Sequence, residues 1–112
     1  MTPVPRVLVK TRDLFFRAKV EDYVRRSGGT PTRSEPYEGA IMELASTTVD
    51  DVQQMTAAGA AVLVFGPHVE GPALKEARSA GATAVPNSRL PEAVAELLGY
   101  LSAESGDTGD EA

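Results

Sequence analysis

Ala61-Val62-Leu63-Val64-Phe65 decides the fold. Five apolar residues run on without polar alternation, so the segment reads as a strand covered on both faces. A loop follows, Gly66-Pro67-His68-Val69-Glu70-Gly71, and Pro72 then suits a first helical position. The helix it opens, Pro72–Ala80, stops at Gly81, and Thr83-Ala84-Val85 is a short fifth strand. A last helix starts near Pro91, with Leu90, Val94, Leu97, Leu98 and Leu101 as its apolar stripe.

Upstream the same alternation holds. Arg6-Val7-Leu8-Val9-Lys10 is a buried strand, and Asp13 caps a helix over about Leu14–Arg26 that ends at Gly28-Gly29. Phe16, Val20, Tyr23 and Val24 face inward on that helix, leaving Phe15 partly exposed. Thr30-Pro31-Thr32-Arg33 is a weak strand, and Pro31 places it at a sheet edge. Ser34 to Gly39 is too short for a helix with loops, so the link is either a poorly formed crossover or a local antiparallel edge. Ala40-Ile41-Met42-Glu43-Leu44 is the third strand. Thr47-x-x-Asp50 and Thr48-x-x-Asp51 both fit a capping box for a helix reaching about Ala58, with Val49, Val52 and Met55 inward. Strands alternating with helices imply a parallel sheet with helices on both faces.

The 112 residues suit one domain, 1–101, followed by an acidic tail, 102–112, expected to be disordered. Zero cysteines exclude disulfides and thiolate chemistry, and a lone histidine, His68, excludes any site needing two. The start of the chain lacks the apolar core of a secretory signal, and no stretch is apolar enough to span a membrane, so a cytoplasmic protein is expected. Residues 1–33 hold eight basic and three acidic side chains, and the rest of the chain is strongly acidic. Outside the tail the charges nearly balance, which argues against nucleic acid as a partner. The basic side chains of the first third read as a solvated face, with Arg17–Glu21 and Asp22–Arg26 at helical i,i+4 spacing.

Ligands of an open parallel sheet bind at the carboxyl ends of its strands. Those ends carry Lys10, Thr11 and Arg12, then Glu43 to Ser46, Gly66 to His68, and Pro86 to Ser88. Arg6-Val7-Leu8-Val9-Lys10-Thr11-Arg12-Asp13-Leu14 and the run from Val62 to Leu98, notably Ala77-Arg78-Ser79-Ala80-Gly81-Ala82-Thr83-Ala84-Val85-Pro86, resemble a receiver domain of bacterial two-component response regulators. The resemblance covers residues 6–101. It implies a three-layer flavodoxin-like α/β fold, with a mainly parallel five-stranded sheet in order 2-1-3-4-5 and the second helix shortened or missing.

The departures matter more than the match. The resemblance sets Thr11 and Arg12 where the family holds two acidic Mg²⁺ ligands, with Asp13 displaced toward the helix. It sets Glu43 at the phosphoacceptor aspartate, Gly66 at the switch hydroxyl and Ser88 at the lysine after the fifth strand. A hydroxyl and a guanidinium are poor replacements for hard carboxylate ligands, so aspartyl-phosphate chemistry is expected to be lost, with no catalytic residue, metal or cofactor. Either Lys10 or Arg12 replaces the metal with an ion pair to Glu43, or all three are hydrated. The expected function is a non-enzymatic pseudo-receiver that binds a protein partner or a second copy. Its surface would be the family's fourth helix, fifth strand and fifth helix, here about Pro72 to Leu101, with Arg78, Arg89 and Tyr100 as polar contacts and His68 as a loop contact. The rivals are a phosphorylatable regulator using Glu43 or Asp13, and a ligand-binding or enzymatic domain using His68, Glu43 and Ser88. The loop at Gly66–Pro72 matches no phosphate-binding pattern.

Overall fold

The structure, a computed structural model, describes residues 4–106. The elements in chain order are β1 (Arg6–Lys10), α1 (Leu14–Arg26), β2 (Thr30–Thr32), β3 (Gly39–Glu43), α2 (Val49–Ala57), β4 (Ala61–Gly66), α3 (Gly71–Ser79), β5 (Thr83–Pro86) and α4 (Leu90–Gly106). Short 3-10 turns, Leu44–Ser46, His68–Glu70 and Asn87–Arg89, follow the last three strands of the chain. The sheet is parallel throughout, in order β2-β1-β3-β4-β5. This is the flavodoxin-like order expected, with β2 at an edge.

The two faces of the sheet carry separate cores. Val7, Val9, Ile41, Leu63 and Phe65 pack against Val20 and Val24 of α1 and Val94 and Leu98 of α4. Ala40, Met42, Val62, Val64 and Ala84 pack against Val52 of α2 and Leu74 and Ala77 of α3. The unbroken apolar run of β4 is thereby explained: Val62 to Phe65 are all buried, alternately under one helix pair and the other.

No helix lies between β2 and β3. Residues 33–38 make the crossover without a helix, through bends at 33–35 and 38 and a cis Glu35–Pro36 peptide, which suffices because β2 is only three residues long. Arg6 holds the link down, its Nε donating to Pro36 O at 2.7 Å and its backbone exchanging hydrogen bonds with Glu38. The antiparallel alternative for this link is therefore corrected to a parallel crossover.

Helix ends follow the local chemistry. Asp13 caps α1, its carboxylate accepting from the N–H groups of Phe15 and Phe16. Of the two capping boxes legible in the sequence, Thr48–Asp51 is the one formed. Gly28, Gly59 and Gly81 take positive φ just past α1, α2 and α3, the left-handed turn that glycine enters without strain. Val49, expected inward, is 40% exposed because it opens α2 rather than facing the sheet. The last helix continues to Gly106, past the boundary at 101, and the remaining tail residues, 107–112, lie outside the described residues. Among the described residues no helix is long and apolar enough to cross a membrane.

Candidate functional site

The carboxyl ends of β1 and β3 lie side by side, since Lys10 is in register with Met42. The residue after each meeting point, Thr11 and Glu43, therefore converges. Thr11 is 4% exposed, the one buried polar side chain among the described residues. Its hydroxyl donates to Glu43 Oε1 at 2.5 Å and accepts from the Asp13 N–H at 3.1 Å. Ser46, on the turn after β3, donates its hydroxyl to the same carboxylate oxygen at 3.4 Å and accepts from the Arg12 N–H at 3.3 Å. These bonds tie the β1–α1 loop to the β3–α2 loop.

The ion pair allowed for Glu43 is not made. Lys10 turns to α2 instead and meets Asp51 Oδ2 at 3.1 Å. Arg12 Nη2 donates to the carbonyl of Ala45 at 3.4 Å. The reason lies in strand alternation: Lys10 projects to the same face as Leu8, toward α2, whereas the end of β3 is capped by hydroxyls. The Lys10 hydrogen bond holds the Asp51 carboxyl below its usual range. This pair went unseen in the sequence, although lysine at a strand end and aspartate in the first turn of the next-but-one helix are the residue types for it.

Arg17 also had no reading in the sequence beyond a solvated helix face. Its guanidinium donates to the carbonyls of Val9 and Thr11 at 3.1 and 2.8 Å. Because β2 pairs with β1 only up to Leu8, the upper carbonyls on that side of β1 lack a strand partner, and Arg17 supplies donors instead.

The other positions separate from this cluster or close it. Asp13 directs its carboxylate to α1 rather than to Glu43. Gly66 is buried at the end of β4, and a Cβ built there would meet the Leu44 side chain at 2.9 Å. Ser88 is exposed on the turn after β5. His68, Arg78, Arg89 and Tyr100 are exposed, and Arg78 is also bound to the sheet edge, its Nε and Nη2 donating to Ala84 O at 3.1 and 2.9 Å. Phe15, 69% exposed, carries the Lys19 ammonium 5.2 Å from its ring centroid.

A divalent ion fits poorly in this donor set. Among the described residues no group of three or more acidic, histidine or cysteine side chains is placed to hold a metal. Beside Glu43 stand a hydroxyl that donates into the carboxylate and a guanidinium-bearing loop, not a second carboxylate.

No protein-family model matches the chain, and no curated protein matches it by sequence. Solved structures do. A response regulator from Thermotoga maritima superposes with a TM-score of 0.71 at 14% identity, covering 87% of this chain and 99% of that one. An orphan response regulator of H. pylori gives 0.66 at 15% identity, covering 90% and 98%. A beryllofluoride-activated receiver domain, solved as a dimer in solution, gives 0.68 at 12% identity, covering 85% and 97%. The fold is thus that of response-regulator receiver domains, with four α-helices among the described residues and none between β2 and β3.

Proposed function

We propose that this chain is a pseudo-receiver, a non-enzymatic cytoplasmic interaction module of signalling that no longer accepts phosphate on a carboxylate. The observation that carries the reading is Thr11. At the position that the resemblance assigns to a metal-binding carboxylate stands a buried hydroxyl already committed to Glu43. In-line phosphoryl transfer to a carboxylate needs a divalent ion to offset charge on the transferred group. Thr11, Arg12 and the helix-capping Asp13 offer no pair of free carboxylates for it. Leu44 fills the space in which a side chain at position 66 would lie, leaving no room for a switch hydroxyl. Glu43 is then a structural acceptor, and the loops it joins are held in one arrangement.

The module would act through a protein partner or a second copy. The solvent face of α3, β5 and α4 offers Arg89 and Tyr100 for contacts, with His68 beside it on the turn after β4. Arg78 serves that face indirectly, by occupying a carbonyl of the β5 edge. The test is a Mg²⁺ titration followed through backbone amide shifts. Residues 11–13 and 43–46 are expected to show no saturable change at millimolar Mg²⁺. Saturable shifts there, lost in Glu43→Gln, would overturn the reading.

A further inference from the structure

We infer that the chain carries a binding groove for a nucleoside phosphate over the upper end of β1. The groove has a volume of about 450 Å³, within the range of small-ligand sites. Leu8 and Met55 give it apolar surface, and Lys10, Arg12, Arg17 and Arg33 give it positive charge. Among the described residues no carboxylate lines it. It exists because no helix follows β2: Leu8 stays half-buried, and β1 above Leu8 has no strand on its outer side.

The charges in this groove differ from the basic side chains further along α1. Arg25 and Arg26 are matched by Glu21 and Asp22, one helical turn away. Arg12, Arg17 and Arg33 have no carboxylate within ion-pair distance among the described residues, and Lys10 alone is paired, with Asp51. Three guanidiniums without an ion-pair partner around one concavity repel one another, and an anion would offset that repulsion. Arg17 spends two donors on the β1 carbonyls and Arg12 one on Ala45, so each keeps N–H groups for a ligand. The planar fork of guanidinium favours bidentate contact with phosphate. The Met55 thioether and the Leu8 side chain suit a flat apolar body such as a nucleobase, which arginine also stacks upon. The inference does not need Glu43 to take phosphate: Glu43 stands behind the groove, accepting from the lining hydroxyls of Thr11 and Ser46, and the anion would meet the guanidiniums instead.

Amide-shift titrations of the intact chain with AMP, inorganic phosphate and adenosine test it. AMP is expected to give saturable shifts clustered at residues 8–12, 33, 46 and 55, with inorganic phosphate weaker and adenosine without effect. Arg33→Ala, an exposed site that leaves the fold intact, should weaken AMP at least about tenfold, the worth of one charge-assisted contact. Arg25→Ala should leave it unchanged. The inference is overturned by the absence of saturable AMP shifts in the groove, by phosphate or adenosine binding as tightly as AMP, or by equal losses in Arg25→Ala and Arg33→Ala.

Discussion

Thr11 is the side chain on which the loops at the top of the sheet depend most. Its hydroxyl satisfies both Glu43 and the Asp13 N–H from a buried position. Thr11→Val keeps the shape and removes both bonds, and is expected to cost roughly 1–3 kcal/mol in urea unfolding, while Thr11→Ser retains most of the stability. Asp51 offers a second, pH-dependent check. The Lys10 hydrogen bond lowers its carboxyl pKa, so the folded state favours the ionised form. The resulting stability is complete above the unfolded carboxyl's pKa and is lost as pH falls through the lower, folded value. Wild type should exceed Asp51→Asn at neutral pH by a small margin, since half-exposed pairs contribute only about 0–1 kcal/mol, and the two should converge in strong acid. Thermal unfolding across pH measures the difference; a margin that grows on acidification would contradict the pairing.

Among the elements, β4 and the turn after β3 are locked together. Gly66 ends β4 directly against Leu44, so Gly66→Ala should destabilise the fold by about 1–3 kcal/mol through overpacking. Leu44→Ala removes the Cδ2 contact at 3.0 Å but keeps the Cβ contact at 2.9 Å, so combining the two should recover only part of that loss, a coupling readable from a double-mutant cycle. Element by element, the sequence was highly readable where backbone chemistry is local. Asp13 as a cap, glycine after each of the first three helices, Pro31 at an edge and the unbroken run Ala61–Phe65 each carry their meaning in one or two neighbours. The choice between Thr47–Asp50 and Thr48–Asp51 was not readable, because both satisfy the same spacing. Nor was the destination of Lys10, which depends on where α2 lands, 41 residues away. The role of Arg17 is not legible in α1, because its acceptors are freed by the brevity of β2, a property of strand pairing.

At the scale of the whole molecule, the crossover without a helix and the basic loop after β1 meet in the same place. Without a helix between β2 and β3 the upper end of β1 lies open, and Thr11 and Arg12, which the proposed reading sets at the acidic positions of a receiver, are a hydroxyl and a guanidinium. The receiver-like fold survives because its two cores, on opposite faces of the sheet, do not need that helix. That the chain is a receiver-like fold was legible in the order of its strands and helices. Its open groove was not, because Arg12, Arg17 and Arg33 come from three separate segments that only the sheet order assembles. The loss of phosphoacceptance is the claim on which the functional reading rests. The direct measurement is intact mass after incubation with Mg²⁺ and acetyl phosphate: the account predicts an unchanged mass for the wild type. An adduct of one phosphoryl group on the wild type, absent in Glu43→Gln, would contradict it.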